Sequence, residues 1–256
     1  MKKLVRFKTK TGITWGELDL DTSKVYFVNG SVYEDWNRGS YAGKLGELEL
    51  LPPCEPKNVV CLAYNFRDLV GKVEVDYEPL IFLKSPNTVI SSNESIKISN
   101  SVLKTWVEVE IAIVLSKNIS NANVDEARDA ILGITLANDV TSQNILNRDH
   151  HLARSKSLPT YCPIGTYLST DVDTSDLAMT TKINGRLTQS SSSKLRFKNE
   201  IESLVYISKF IPLTQGDLVL TGTPAGAMDS LIHPGDSAIL SVQELGVLNN
   251  RIEKGI

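Results

Sequence analysis

Residues 106–115 constrain the fold of this chain more than any other stretch of the sequence. They read Trp-Val-Glu-Val-Glu-Ile-Ala-Ile-Val-Leu, so apolar side chains alternate with two glutamates. Successive side chains of a β-strand point to opposite faces, which places Glu108 and Glu110 side by side on one face. A half-buried strand with a solvent face has the same pattern. The segment therefore predicts a strand and leaves open whether its glutamates are surface groups or a site.

Short strand-like runs separated by turn signals continue through the rest of the chain. Three of them precede residue 50, and three prolines between residues 51 and 56 indicate an irregular linker. We therefore predict a small β-rich N-terminal domain over residues 1–52 and a main domain over residues 56–256. The predicted strands lie at residues 4–7, 14–18, 25–28, 59–63, 80–83, 106–115, 134–138, 218–221 and 238–242.

Two segments have helical periodicity, so the predicted fold class is mainly β with some α. Asn123 and Glu126 form a capping-box pattern, and Gly133 is predicted to end that helix. The second helix is predicted at residues 197–210. Asn184-Gly185 predicts a type I′ hairpin turn, and the serine run at residues 190–193 is predicted to be a loop.

A third carboxylate follows the first predicted helix. Residues 133–138 form an apolar strand that ends at Asp139, so a strand–helix–strand unit can bring Asp139 beside Glu108 and Glu110. Carboxylates about 4 Å apart repel by roughly 4 kcal/mol per pair at an effective dielectric constant of about 20, so the cluster needs a cation or a proton. An all-oxygen ligand set favours Mg²⁺ or Mn²⁺ over zinc.

Composition excludes several other classes of protein. With 27 Lys and Arg against 30 Asp and Glu, the net charge of -3 provides no basic surface for nucleic acid. The apolar runs are far shorter than the roughly 20 residues that span a bilayer, so we expect no membrane partner. No apolar export signal follows the N-terminus, so we expect a cytoplasmic protein. The three cysteines form no C-x-x-C pair and are interpreted as buried free thiols.

Several short motifs occur in a defined order along nearly the whole chain. They are Pro56-Lys57-Asn58-Val59-Val60, Asn65-Phe66, residues 82–89, Glu108-Val109-Glu110, Asn138-Asp139-Val140, Lys156-Ser157, Pro163-Ile164-Gly165, Asn184-Gly185 with Gln189, residues 221–226 and Pro234-Gly235-Asp236. In this order they resemble the fumarylacetoacetate hydrolase superfamily, nearest its hydroxyhepta-dienedioate isomerase and oxo-tricarboxylate decarboxylase branch. The resemblance implies a mixed β-roll main domain, usually in a homodimer.

The resemblance also implies roles for particular residues. Glu108, Glu110 and Asp139 would hold Mg²⁺ or Mn²⁺, and Lys156 would lie beside the metal and the oxo-carboxylate of the substrate. Lys156 and Asp139 are thus the expected catalytic residues. The expected substrate-binding residues are Gln189, Thr223, Gly222 and Asn65. Without the resemblance, Lys156 would be interpreted as a solvated surface charge.

The chain departs from the family pattern in a segment that matters for mechanism. Family hydrolases have a histidine and a glutamate after the Asn-Tyr motif, where they activate water, but this chain has Leu69 and Lys72. Neither side chain can act as that base at neutral pH. Gln143 and Pro159 stand where many members have arginine and aspartate. The three histidines, His150, His151 and His233, lie elsewhere. His150 and His151 could approach the metal side after Asp139, but all three are interpreted as exposed.

These features favour a metal-dependent isomerase, tautomerase or decarboxylase of a small 2-oxo (2-hydroxy-dienoic) dicarboxylate, as in aromatic compound catabolism. Such a substrate would chelate the metal, and the metal with Lys156 would stabilise its enolate. One alternative is a C–C bond hydrolase of the acylpyruvate or fumarylacetoacetate type. Another is a non-catalytic family member that binds metal and a dicarboxylate.

Overall fold

The structure is a computed structural model that describes residues 1–73, 77–98, 104–144 and 148–255. Its strands are β1 (Lys3–Thr9), β2 (Gly12–Asp19), β3 (Lys24–Gly30), β4 (Trp36–Lys44), β5 (Glu49–Leu51), β6 (Val59–Ala63), β7 (Leu80–Lys84), β8 (Val89–Ile90), β9 (Ile96–Ile98), β10 (Thr105–Trp106), β11 (Val109–Leu115), β12 (Ile131–Asn138), β13 (Thr141–Ser142), β14 (Cys162–Pro163), β15 (Leu168–Ser169), β16 (Ala178–Ile183), β17 (Arg186–Ser192), β18 (Leu218–Leu220), β19 (Ser237–Val242) and β20 (Gly246–Lys254). The α-helices are α1 (Arg67–Val70), α2 (Val124–Asp129), α3 (Ala153–Lys156) and α4 (Glu200–Ser208). Single turns of 3-10 helix occupy Leu45–Glu47, Pro86–Thr88, Ser193–Leu195 and Ala227–Asp229.

One eleven-stranded sheet organises the molecule. Its strand order is β4-β3-β2-β1-β15-β12-β11-β18-β6-β7, and β5 also pairs with β1. Strand β1 is antiparallel to both β2 and β15, so strands from the first fifty residues continue directly into the central sheet. The division of the chain into domains at residues 1–52 and 56–256 stays a prediction.

A five-stranded sheet, ordered β17-β16-β19-β20-β9, covers one face of this large sheet. The main core between them includes Ile111 and Ile113 of β11, whereas Ala112 and Val114 of the same strand belong to a second core on the opposite face. Every residue of β11 is buried. Strand β11 therefore has no solvent face, and Glu110 lies in the interior rather than on a half-buried surface.

The predicted fold class is confirmed, because strands dominate and the helices are short. The predicted hairpin at Asn184-Gly185 is also confirmed: both residues have positive φ, 49° and 83°, and they join β16 to β17. Both φ angles are those of a type I′ turn. Among the described residues, no helix is long and apolar enough to cross a membrane.

The predicted end of the first helix is wrong. Helix α2 has the predicted capping box at Asn123 and Glu126 but stops at Asp129, and Gly133 lies inside β12. Strand pairing ends the helix early, because Ile131 already pairs with Leu115 of β11. Gly133 is needed for close approach to β15 rather than for a helix terminus.

The serine run was predicted to be a loop, and this is also wrong. Ser190 to Ser192 lie in β17 opposite Thr180 to Ala178 of β16, and Ser193 begins a 3-10 turn. The Ser193 hydroxyl accepts a hydrogen bond from Leu177 N at 2.7 Å. Serines carry little strand propensity, so the pairing with β16 decides their conformation.

Candidate metal centre

The predicted strand at residues 106–115 is divided in two, and the division creates the site. The short ladder β10–β13 pairs Trp106 with Thr141, and the longer ladder β11–β12 begins at Val109. Residues 107–108 and 139–140 belong to neither ladder. A hydrogen bond from Asp139 N to Glu108 O at 3.0 Å connects these two segments of the chain. Glu108 and Asp139 therefore face each other across an interruption in both strands.

Three carboxylates converge at this interruption. Glu108, Glu110 and Asp139 each offer one oxygen, and these three oxygens lie within 4.8 Å of one another. Their exposed fractions are 8%, 1% and 0%, so water cannot screen their mutual repulsion. The convergence predicted from sequence is present, and the arrangement requires positive charge.

Two buried lysines supply part of that charge. Lys84 Nζ, at the end of β7, donates to Asp139 Oδ1 at 2.6 Å. Lys156 Nζ, at the end of α3, donates to Asp139 Oδ2 and contacts Glu108 Oε2 at 3.3 Å. Three carboxylates and two ammonium groups sum to one net negative charge when all are ionised. The cluster can therefore accept a further cation.

The electrostatic environment differs among the three carboxyls. Burial, with repulsion from Asp139 and Glu108, raises the pKa of Glu110 well above its usual value. Burial also tends to raise the pKa of Asp139, but the Lys156 and Lys84 ammonium groups outweigh it and lower that pKa. For Lys156, burial lowers the pKa, and the carboxylates of Asp139 and Glu108 reverse this and raise it. Burial also raises the pKa of Glu108. Without a bound cation, burial therefore favours the protonated forms of both glutamates, and the neighbouring carboxylates keep Lys156 cationic.

Hydrogen bonds orient the two glutamates. Trp106 Nε1 and Thr141 Oγ1 donate to Glu108 Oε1 at 2.6 and 2.8 Å. The backbone N–H of Gly222 donates to Glu110 Oε2 at 2.6 Å. Each glutamate therefore has one oxygen held by these donors, which leaves its second oxygen for a ligand.

Gln189 and Thr223 lie directly beside the carboxylate cluster. Gln189 Oε1 accepts from Val109 N at 3.2 Å and from Thr181 Oγ1 at 2.8 Å, and Gln189 Nε2 donates to Thr223 Oγ1 at 3.0 Å. The Thr223 hydroxyl in turn donates to Val109 O at 2.9 Å. Both side chains thus hydrogen-bond to the backbone of Val109, the residue between the two glutamates. Their predicted contact with substrate stays a prediction.

Asn65 stabilises the backbone next to Gly222 by hydrogen bonds. Its Nδ2 donates to Thr221 O at 2.8 Å and to Lys198 O at 2.9 Å, and its Oδ1 accepts from Lys198 N at 2.9 Å. Gly222 has φ +94°, and a Cβ there would lie 3.0 Å from Asn65 Cβ. Asn65 therefore holds the loop that presents the Gly222 N–H to Glu110, and its predicted contact with substrate also stays a prediction.

The residues at the departures from the family pattern lie outside the cluster. Leu69 is on α1 and is 39% exposed, and Lys72 is also exposed.

The three histidines, His233, His150 and His151, are exposed as well. The last two line a cavity of about 650 Å³ beside β7, which Lys84 and Ser85 also line. The interpretation of the histidines as exposed is confirmed.

Sequence reasoning did not assign Lys84, Trp106 or Thr141 to the site. Lys84 lies in one of the family-like motifs, two residues after Phe82. Residues two apart on a strand share a face, so the sequence could have placed Lys84 on the same inward face as Phe82. The indole and hydroxyl contacts to Glu108 had no sequence signal, because they depend on the interruption between the two ladders.

The residues present fit a hard divalent cation. The ligand atoms are all carboxylate oxygens, they are buried, and the cluster carries one net negative charge when all of its groups are ionised. Mg²⁺ and Mn²⁺ prefer such oxygen ligands and usually retain open positions for water or substrate. Glu108, Glu110 and Asp139 would hold the ion.

Comparison with known proteins shows the family to which the chain belongs. The family model "Fumarylacetoacetate (FAA) hydrolase C-terminal" matches residues 58–253. The chain belongs to the fumarylacetoacetate hydrolase family. Oxaloacetate tautomerase YisK of Bacillus subtilis is 30% identical over 229 residues, which cover 84% of this chain and 76% of that protein. Isomerases and tautomerases among the relatives support an isomerase of this superfamily.

Solved structures of family members share the whole fold. The 2-hydroxyhepta-2,4-diene-1,7-dioate isomerase of Mycobacterium marinum superposes with a TM-score of 0.89 at 28% identity, covering 99% of each chain. The 5-carboxymethyl-2-hydroxymuconate delta-isomerase of Mycobacterium smegmatis has a TM-score of 0.86 at 28% identity, covering 99% of this chain and 100% of that one. The resemblance to the isomerase branch is thus confirmed.

Proposed function

We propose that this protein is a divalent-metal-dependent tautomerase or isomerase of a small 2-oxo dicarboxylate, with oxaloacetate as the first substrate to test. The observation that carries the proposal is the buried cluster of Glu108, Glu110 and Asp139, with Lys156 in contact with two of its members. When bound, a divalent ion would polarise the 2-oxo group and disperse the negative charge of the enolate.

The charge of the site supports a 2-oxo acid. Three carboxylates, two ammonium groups and one divalent ion sum to one positive charge. The chelating end of a 2-oxo acid contributes one carboxylate, which would make the complete site neutral. Burial makes such matching of charge important, because unpaired charge in a protein interior is costly.

The residues of this chain would perform three tasks. Lys156 stays cationic between Asp139 and Glu108, so it supplies a fixed positive charge beside the oxygen on which charge develops. Lys84 neutralises the other oxygen of Asp139 and holds that carboxylate in place. Gln189 and Thr223 hold the Val109 backbone, which keeps Glu108 and Glu110 in register. None of these tasks requires an activated water molecule.

The names of relatives narrow the substrate class. A curated relative is an oxaloacetate tautomerase, and a solved structural neighbour is a hydroxyhepta-dienedioate isomerase. Both names describe keto–enol or double-bond chemistry on a dicarboxylate. Leu69 and Lys72 occupy the places of the water-activating histidine and glutamate, which further favours isomerisation over hydrolysis.

The test is proton exchange at C3 of oxaloacetate, followed by NMR in deuterated buffer with diamagnetic Mg²⁺. We expect exchange faster than with metal alone, loss of that rate in Glu110→Ala, and an unchanged rate in Glu34→Ala, whose side chain is exposed. Ultraviolet absorbance of the enol provides a second measure. Metal-dependent stabilisation by oxaloacetate without exchange would instead identify a non-catalytic binding protein.

Two other reactions are distinguished in the same assay. Release of carbon dioxide at the rate of oxaloacetate loss would assign a decarboxylase, which breaks the C3–C4 bond and forms the enolate of pyruvate, whereas a tautomerase breaks the C3–H bond and forms the enolate of oxaloacetate. Cleavage of acylpyruvate with oxo-dicarboxylates untouched would assign a hydrolase and contradict the proposal. The expected homodimer is part of the proposal and is tested by sedimentation velocity.

A further inference from the structure

The direction of the Glu108 carboxylate is not determined by regular strand geometry. Glu108 lies in the interruption between the β10–β13 and β11–β12 ladders. Its backbone is held on both sides: Glu108 N donates to Asn138 Oδ1 at 3.1 Å, and Glu108 O accepts from Asp139 N at 3.0 Å. These contacts place the Cα atom of Glu108 and leave the side chain to be oriented by other groups.

Two side chains orient it. Trp106 and Thr141 are cross-strand partners in the two-residue ladder, Trp106 on β10 and Thr141 on β13, at the edge of the interruption. Both donate to the same atom, Glu108 Oε1, at 2.6 and 2.8 Å. The other oxygen, Oε2, is the one that contacts Lys156, at 3.3 Å. The ladder thus holds one oxygen and turns the other toward the cluster.

We propose that Trp106 and Thr141 are positioning residues that make Glu108 a one-oxygen ligand of the divalent ion. This inference rests on the proposed metal-dependent function and deepens it. With Oε1 occupied by two donors, Glu108 would offer the ion only Oε2, and the position that its second oxygen would otherwise fill would be left for substrate. Hydrogen-bond partners of metal ligands typically change metal affinity by 10- to 100-fold when they are lost.

The experiment measures Mn²⁺ affinity by electron paramagnetic resonance and calorimetry, without substrate. Trp106→Phe keeps an aromatic ring and removes the N–H donor, and Thr141→Val removes the hydroxyl at nearly constant volume. We expect each to weaken Mn²⁺ binding by at least about tenfold. The matched control is Thr105→Val, because Thr105 is a buried threonine in the same ladder whose hydroxyl contacts Ser142 instead of a carboxylate. Its Mn²⁺ affinity should equal that of the wild type.

A spectroscopic measurement separates positioning from a general loss of structure. The chain has three tryptophans, so replacing Trp15 and Trp36 by Phe leaves Trp106 as the sole tryptophan, which can be excited at the red edge where the tyrosines do not absorb. Diamagnetic Mg²⁺ should then shift the emission of Trp106, and adding Thr141→Val should move the midpoint of that titration to higher Mg²⁺ concentration.

The outcomes distinguish this inference from the proposed function. Wild-type affinity for Mn²⁺ in both Trp106→Phe and Thr141→Val would overturn the inference alone, as would equal weakening in Thr105→Val. Failure of the wild-type protein to bind Mn²⁺ or Mg²⁺ at all would overturn the metal centre and this inference together.

Discussion

The Asp139 carboxylate illustrates how much single contacts matter at this site. Lys84 and Asp139 form an ion pair in which both side chains are at most 1% exposed. Removing Lys84 would leave three buried carboxylates facing the single ammonium group of Lys156, and breaking a buried ion pair in this way costs far more than losing an exposed one.

We predict that Lys84→Met lowers the free energy of unfolding by about 3 to 5 kcal/mol. The matched control is Lys194→Met, because Lys194 pairs with Asp176 on the surface with both side chains 58% exposed. The control should lose less than about 1 kcal/mol. Urea denaturation without added metal measures both. Equal losses in the two variants would contradict the buried geometry of Lys84.

A second prediction at this scale concerns Glu110. Its carboxylate is buried beside two others, so it is unfavourable in the cation-free protein and favourable once a cation is bound. Glu110→Gln should therefore melt at or above the wild-type temperature without metal. It should lose the stabilisation by Mn²⁺, which for the wild type reaches about 2.7 kcal/mol at a concentration of 100 times Kd. Differential scanning fluorimetry with Glu34→Gln as control tests this, and a retained metal shift in Glu110→Gln would contradict it.

At the scale of elements, close strand packing explains a glycine that looks like a helix terminus in the sequence. A Cβ at Gly133 would lie 3.1 Å from Leu168 Cβ and 3.1 Å from Ser169 O, both on β15. Neither atom can move without shifting the strand. The β12–β15 contact therefore excludes a side chain at residue 133.

We accordingly predict that Gly133→Ala destabilises the protein by about 1 to 3 kcal/mol, the usual cost of overpacking. Gly46→Ala serves as control, because a Cβ at Gly46 has no neighbour within 4 Å among the described residues. Thermal and urea unfolding of both variants test the prediction. If Gly133→Ala is as stable as the wild type or more stable, β15 shifts to accommodate the added methyl group, and the prediction is wrong.

Strands β2 and β4 are connected by an ion pair whose effect should depend on pH. Arg38 donates to both oxygens of Glu17, at 2.8 and 3.0 Å, and this hydrogen bonding lowers the pKa of Glu17. A carboxyl with a lowered pKa stabilises the folded state above its unfolded pKa, about 4.3, and this stabilisation is lost as pH falls through the folded pKa.

Arg38→Met should therefore be less stable than the wild type at neutral pH, by less than about 1 kcal/mol because the arginine is half exposed. The difference should shrink toward zero below about pH 4. Unfolding midpoints of the two proteins across this range measure it. A difference that grows at acid pH would refute the assignment to Glu17.

For the whole molecule, the position of β1 within the large sheet bears on the predicted domain division. Leu4 of β1 pairs with Leu168 of β15, and both are fully buried in the second core. Removing residues 1–52 would uncover this core and leave β15 as an apolar sheet edge, which invites aggregation.

We predict that a protein of residues 53–256 is less stable than the full chain by several kcal/mol, or insoluble. Circular dichroism melting and size-exclusion chromatography test this, with Mn²⁺ affinity as a separate readout. A truncated protein that melts within a few degrees of the full chain would support an independent main domain.

Much of the fold could be predicted because it depends on local preferences. Alternation marked the core of β11, Asn184-Gly185 marked a hairpin, and Asn123 with Glu126 marked the start of a helix. Several strands were not predicted, namely β4, β5, β8, β9, β13, β14, β15 and β20. Strand β4, for example, mixes glycine, asparagine and serine and becomes extended through pairing with β3.

The sequence by itself determined that three acidic side chains would need positive charge, and the family-like motifs indicated where. Only the tertiary structure decided how that charge is provided. Lys84 is 55 residues from Asp139 along the chain, and Trp106 and Thr141 meet at Glu108 through a ladder separate from the main one. Local backbone preference is encoded within a few neighbouring residues, whereas burial and charge pairing depend on which distant strands lie side by side.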